Sequence, residues 1–233
     1  MATQVVFLSL PARRVNLPQG HGAILLKREI PISIEGPTGV LEGLYYDQPD
    51  ARGLALVCHP NPVKGGTMLN KVVSTLQRTA RDAGYVTLRF NYRGVGGSGG
   101  SHDMNTGEVD DAEAALRWLQ AQHPGLPLTL LGFSFGGFVA AALASRVEAR
   151  DERLERLFMV APAVSRLESG AMAEHCTLTI VQPDDDEVID PASVHAFSAT
   201  LERPHELLKV AECGHFFHGR LVELKELVAP RLN

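Results

Sequence analysis

Leu128-Thr129-Leu130-Leu131-Gly132-Phe133-Ser134-Phe135-Gly136 is the stretch on which the reading of this chain turns. An apolar run of strand length leads into G-x-S-x-G, and an alanine-rich apolar segment of helical length, 135–147, follows. In that setting the serine sits on a sharp strand-to-helix turn, with its hydroxyl exposed beyond the end of the strand. Glycines two before and two after let the two arms pass without Cβ collisions. The helix also points its N-terminus, the positive end of its dipole, at the serine. Without its context the pattern is common by chance; between a strand and a helix it marks Ser134 as a candidate nucleophile.

Working outward, strand-like and helix-like segments alternate. Two alternating runs, 29–34 and 40–46, flank the turn residues Gly36-Pro37 and read as an antiparallel hairpin-like start. The continuous apolar run 54–58 reads as a strand covered on both faces. Helices are expected over 70–83, ended by Gly84, and over 105–122, where Asn105 can cap with Glu108 three residues on. Strands are expected over 85–92, 126–131, 157–161, 178–181 and 206–210, and further helices over 191–201 and 221–228. Such alternation predicts an α/β fold: a mostly parallel sheet of about eight strands with helices on both faces. Residues 26–233 read as one domain, and 1–25 as an N-terminal arm with a short apolar stretch, 5–10. The fourteen residues between Ala161 and Cys176 leave no room for a large cap, though 168–174 can form a short helix.

A serine hydroxyl needs a base to take its proton. In chain order the acid and then the histidine should follow the serine, which directs attention to the last loops. His215, in Cys213-Gly214-His215-Phe216-Phe217-His218, is the candidate base; His218 is its rival, and His205 lies at the wrong end of its strand. The acid that orients the base should lie in the loop after 180–181, which offers Asp184, Asp185, Asp186, Glu187 and Asp190. Position alone does not choose among them.

Composition narrows the class. The 233 residues are 45% apolar and 21% charged, with 22 basic against 27 acidic residues and a net charge of −5, so nothing marks a disordered or nucleic-acid-binding chain. Arg13-Arg14 is an isolated basic pair. Three sparse cysteines, Cys58, Cys176 and Cys213, suit buried thiols and a cytoplasmic location. No apolar run reaches the roughly 18 residues of a membrane span. Gly94-Val95-Gly96-Gly97-Ser98-Gly99 matches the dinucleotide fingerprint literally, but no helix opens on it; a Gly-rich surface loop near the site is expected instead. His215 and His218 lack a carboxylate at ligand spacing, so no metal and no cofactor are expected.

Four segments together resemble the α/β-hydrolase superfamily, and within it the small lidless bacterial hydrolases related to dienelactone hydrolases and esterases. They are His59-Pro60-Asn61-Pro62 with Gly65-Gly66-Thr67-Met68, Asn91-Tyr92-Arg93-Gly94-Val95-Gly96-Gly97-Ser98, the elbow, and Gly214-His215-Phe216-Phe217. The resemblance implies that Asp186 is the acid, with Asp184 as fallback, because 183–189 matches a family G-x-x-D-x-x-V pattern with Pro183 in place of glycine and Ile189 in place of valine. It implies an oxyanion hole made by the backbone N–H groups of Phe135 and Asn61; Pro62 has no N–H to offer. Dienelactone hydrolases proper carry cysteine at the elbow, where this chain has Ser134. The expected activity is hydrolysis of a carboxylic ester or related acyl bond, in an open cleft lined by Val63, Phe133 and Phe216 that takes short acyl groups. The same triad suits a peptidase, thioesterase or cofactor-free perhydrolase, and the fold can also serve as a non-catalytic binding protein. The expected partner is a small acyl substrate, not nucleic acid or membrane, and the reading leaves room for a homodimer.

Overall fold

A computed structural model describes residues 28–103, 106–167 and 172–233. Eight strands form one sheet: β1 (Ile30–Gly36), β2 (Gly39–Tyr46), β3 (Gly53–Cys58), β4 (Tyr85–Phe90), β5 (Leu128–Phe133), β6 (Leu154–Val160), β7 (Thr177–Pro183) and β8 (His205–Val210). Their spatial order is β1-β2-β4-β3-β5-β6-β7-β8. β1 and β2 are antiparallel, β2 meets β4 antiparallel, and every later pairing is parallel. The helices are α1 (Lys71–Asp82), α2 (Gly107–Gln122), α3 (Phe135–Glu148), α4 (Pro191–Thr200) and α5 (Leu221–Val228).

The central strands read as unbroken apolar runs because both faces are covered. Leu54, Leu56, Leu128 and Leu130 face α2, α3 and α4, packing with Leu116, Val139, Leu143 and Val194. Their neighbours Ala55, Val57, Leu131 and Phe133 face α1 and α5, packing with Val73, Leu76, Leu224 and Val228. Asn70 caps α1, its side chain accepting from the N–H of Val72 at 2.8 Å, and Gly84 ends the turn behind it at φ +94°.

Several expected boundaries move for local reasons. Strand β5 runs two residues beyond Leu131 to Phe133, which pairs with Val160. It starts after Pro127, whose carbonyl accepts from Leu54 N–H. β4 stops at Phe90 because the Tyr92 N–H is taken by the ring of His59 rather than by a neighbouring strand. Asn105 lies outside the described residues; Gly107 N–H, at the start of α2, is accepted by the Asp103 carboxylate, while buried Glu108 accepts from Asp103 N–H. Of the short helix expected over 168–174, residues 168–171 lie outside the described residues and 172–174 are not helical. The arm, 1–25, also lies outside them. Among the described residues no helix is long and apolar enough to cross a membrane.

Candidate active site

The elbow is held from three sides. Ser134 has φ +57° and ψ −119°, a left-handed conformation that a non-glycine residue adopts only where its surroundings impose it. Its N–H donates to Val160 O at 2.8 Å, and its carbonyl accepts from Gly137 N–H and Ala163 N–H. The flanking glycines are obligatory: a Cβ on Gly132 would lie 2.0 Å from Gly136 O, and one on Gly136 would lie 2.2 Å from Cys58 O. The second contact seats the N-terminus of α3 directly on the backbone that leaves β3.

That backbone, from His59 to Asn70, forms the opposite lip. Asn61 accepts at its carbonyl from the N–H groups of Lys64 and Gly66 and at its side chain from Val63 N–H, while its own N–H takes no part in the turn. Further along, Met68 is gripped at both backbone groups: its N–H donates to Asn91 Oδ1 at 2.9 Å and its carbonyl accepts from Arg89 at 2.8 Å. The first N–H groups of a helix have no partner within it. Phe135, at the first turn of α3, and Asn61 line the same cavity.

The loop after β7 resolves its acids by burial. Asp184 and Asp185 are exposed, Asp190 caps α4 through a bond to Ala192 N–H, and Asp186 turns inward with its carboxyl wholly buried. Asp186 Oδ1 accepts from Val188 and Ile189 N–H at 2.8 and 2.7 Å; Oδ2 accepts from His215 Nδ1 at 2.8 Å and Gln182 Nε2 at 3.2 Å. Burial alone would raise the Asp186 pKa, but the bonds from His215, Ile189 and Val188 outweigh it and hold the carboxyl below its ordinary range. Because a carboxylate only accepts, His215 carries its proton on Nδ1, which leaves Nε2 of the neutral ring as a lone pair. Glu187 fixes the same loop by accepting His215 N–H at 3.0 Å, a bond that holds its own carboxyl below the usual range.

Ser134, Phe135, Asn61, His215 and Phe216 line a single cavity of about 300 Å³ with Lys64, Ser165, Arg166, Val188 and Ile189. Two expected lining residues are placed elsewhere. Phe133 is fully buried and packs its ring 4.9 Å from that of His215, so it backs the histidine instead of facing the cavity. Val63 is 62% exposed on the short turn after Asn61 and is not part of the wall. His218 is exposed and stacks loosely on Phe216, away from any carboxylate among its contacts. The Gly-rich loop 94–99 does not border the cavity either. It closes on itself through Gly94 N–H to Gly99 O and ties to the first hairpin through Gly99 N–H to Val40 O and Gly97 N–H to Glu42.

Sequence reasoning missed Gln182, Ser165 and Arg166, which belong to no recognisable pattern, and it weighed Glu187 only as a candidate acid and gave Val188 and Ile189 no role beyond their place in the 183–189 pattern. The thiols are not rivals to Ser134: Cys58 is buried and its pKa is pushed up to about 12 by burial, and Cys213 is raised for the same reason. Among the described residues no group of three or more His, Cys, Asp or Glu side chains is placed to hold a metal ion. A larger groove, about 770 Å³, opens at the other end of the parallel strands around Arg153, Arg156, His175 and Arg203; no serine or buried carboxylate–histidine pair lines it.

The chain is similar to several known proteins. It is 35% identical to the uncharacterized protein RP471 of Rickettsia prowazekii over 209 residues, 84% of this chain and 86% of that one. Among solved structures, XC6422 of Xanthomonas campestris, a serine hydrolase without a lid, superposes with a TM-score of 0.79 at 34% identity, covering 89% of this chain and 94% of that one. A serine hydrolase homologue from Coxiella burnetii gives 0.78 at 36% identity, covering 91% and 100%. The profile of the alpha/beta hydrolase fold matches residues 56–182, from the strand before the Asn61 turn to the strand before the acid loop. The strained strand-to-helix turn at Ser134, the order of Ser134, Asp186 and His215 along the chain, the single mostly parallel sheet without a large cap, and these likenesses converge: this chain belongs to the alpha/beta hydrolase fold family.

Proposed function

We propose that the protein is a serine hydrolase that cleaves carboxylic esters or closely related acyl bonds through an acyl-enzyme intermediate. The observation that carries this reading is the buried Asp186–His215 hydrogen bond, 2.8 Å long, whose histidine shares one small cavity with the strained Ser134. His215 Nε2 takes the Ser134 proton as Oγ attacks the acyl carbon, and Asp186 stabilises the imidazolium that results. The oxyanion of the tetrahedral intermediate is received by Phe135 and Asn61 N–H, each such donor contributing on the order of 3 kcal/mol. Collapse expels the alcohol, which leaves with the proton from His215. A water then attacks the acyl-serine with the same histidine as base, releasing the carboxylic acid and restoring Ser134.

The cavity is small, about 300 Å³, and two of its apolar lining residues stand largely open to solvent, Phe216 at 40% and Val188 at 54% exposed. That supports short or accessible acyl groups over long chains. A fluorophosphonate probe followed by peptide mapping tests the nucleophile directly: label is expected on Ser134 and nowhere else. A panel of p-nitrophenyl esters from acetate to palmitate, acyl thioesters and aminoacyl amides tests the substrate class. Failure of both the probe and every ester would remove the proposal, and a preference for palmitate over butyrate would remove the short-acyl part.

A further inference from the structure

His59 has no role in the steps above, yet it lies wholly buried beneath the lip that carries Asn61. Its Nδ1 is 2.7 Å from Pro60 O, and its Nε2 is 3.2 Å from the backbone nitrogen of Tyr92. A carbonyl oxygen can only accept and an amide N–H only donate, so both contacts demand the same ring: neutral, with its proton on Nδ1. Burial favours that form too, since desolvation pulls the His59 pKa down to about 3 against the opposing effect of the Pro60 carbonyl. The ring also packs against Tyr92 at a tilt of 41°, with centroids 4.0 Å apart.

The Pro60 carbonyl and the Asn61 N–H belong to one peptide unit, and no peptide among the described residues is cis. In a planar trans peptide these two groups point in opposite directions. Anchoring the carbonyl on the buried ring therefore turns the Asn61 N–H the other way, toward the cavity that Pro60 and Asn61 line. The turn that follows cannot do this, because its bonds engage Asn61 O and Oδ1 and so fix the next peptide, not this one. Gly66 leaves the space for it: a Cβ there would lie 2.1 Å from Pro60 O. Were the peptide to rotate by half a turn, a carbonyl oxygen would face the developing negative charge where a donor is needed.

We infer that His59 is a positioning residue, whose Nδ1–H locks the Pro60–Asn61 peptide with its N–H toward the cavity so that the oxyanion hole is formed before substrate arrives. The inference rests on the reading of Asn61 N–H as an oxyanion donor, and the two fail separately in the following experiment. His59→Asn places an amide nitrogen about where Nδ1 stands, so it keeps a donor for Pro60 O but does not reach Tyr92. His59→Gln reaches the Tyr92 N–H with its oxygen but leaves the Pro60 carbonyl unpaired. Both variants lose the ring contact with Tyr92, so a merely structural role would harm them alike.

With p-nitrophenyl acetate, His59→Gln is expected to lose on the order of a hundredfold in kcat with KM within about twofold, as for the loss of one oxyanion donor. A trifluoromethyl ketone, which becomes a tetrahedral oxyanion on the serine, should weaken in proportion to kcat. His59→Asn should stay within about fivefold of the wild type on both measures, well short of the loss of a donor. Equal losses in the two variants, or an unchanged kcat in His59→Gln, would overturn the inference. A wild type inactive on all esters would overturn the underlying reading instead. Should either variant unfold, ¹⁵N NMR of the wild-type protein decides: at pH 7 the His59 ring is expected to carry its proton on Nδ1, and a proton on Nε2 would overturn the lock.

Discussion

Two buried carboxylates in this molecule are built almost alike and serve opposite ends. Asp186 and Asp111 both have wholly buried side chains, and each is bound at 2.8 Å to a basic partner that is itself nearly buried. Asp111 meets Arg93 through both oxygens and also accepts the Arg93 backbone N–H. A guanidinium stays charged at any working pH, so that pair has one state and acts as a clamp, fixing the root of the Gly-rich loop to α2. Asp186 meets an imidazole, whose second ring nitrogen can accept a proton from a neighbouring group and return it. Geometry and burial are shared; the partner's capacity to accept a proton is what separates a strut from the proton relay proposed for His215.

The sharpest way to break the comparison is to mutate each pair and read activity and stability separately. Ser134→Ala should abolish fluorophosphonate labelling and lower kcat by about 10⁴-fold or more, with little change in the unfolding midpoint. Asp186→Asn should lower kcat on the order of 10⁴-fold, because the histidine then adopts the wrong tautomer. Asp111→Ala should show the opposite pattern. It leaves a buried guanidinium with only the longer, 3.8 Å contact to Asp103 and is expected to cost about 3 kcal/mol of stability in urea unfolding, while kcat of the folded fraction stays within a few-fold. An Asp111 variant that kept its stability but lost turnover would erase the distinction.

A subtler test uses pH. The folded-state pKa of Asp186 is held below its ordinary value, so its ionisation stabilises the fold above the unfolded pKa near 3.9, and that contribution is lost as pH falls through the lower folded value. The stability gap between wild type and Asp186→Asn, measured by urea unfolding, should therefore be constant from about pH 6 to 5 and close progressively below about pH 4. A gap that widened in acid would reverse the sign and refute the assignment of the hydrogen bonds.

The same contrast explains how much could be read in advance. All eight strands and the elbow were legible because their signals are local: apolar runs bounded by Gly and Pro, and G-x-S-x-G between a strand and a helix. The orientation of Phe133 was legible too, had strand parity been applied, since it follows Leu131 by two residues and shares its buried face. The choice of Asp186 over Asp184 and Asp185 needed a family resemblance, because what selects it is a turn that aims the N–H groups of Val188 and Ile189 at one carboxyl. Arg93–Asp111 was invisible: the residues stand 18 apart, on a loop and a helix, with no pattern linking them. So was the tautomer of His59, which depends on Tyr92, 33 residues away.

The smallest expected effect concerns an arginine that, unlike Arg93, is exposed. Arg166 is exposed at the cavity wall, its guanidinium 5.2 Å from the Phe135 ring centre, and Lys64 lines the same cavity. Two exposed cations near the proposed acyl site should favour substrates bearing a negative charge. Screening makes the preference weak: a charge about 8 Å away contributes ~0.5 kcal/mol in water, so reversing it in Arg166→Glu should shift the selectivity by ~1 kcal/mol. The ratio of kcat/KM for a p-nitrophenyl hemisuccinate over p-nitrophenyl butyrate should thus fall about fivefold at low ionic strength, and the difference should fade near 1 M salt, where the screening length is roughly 3 Å. A shift that survived high salt would mean that Arg166 touches the substrate directly, as Arg93 touches Asp111, and that the second guanidinium is as firmly placed as the first.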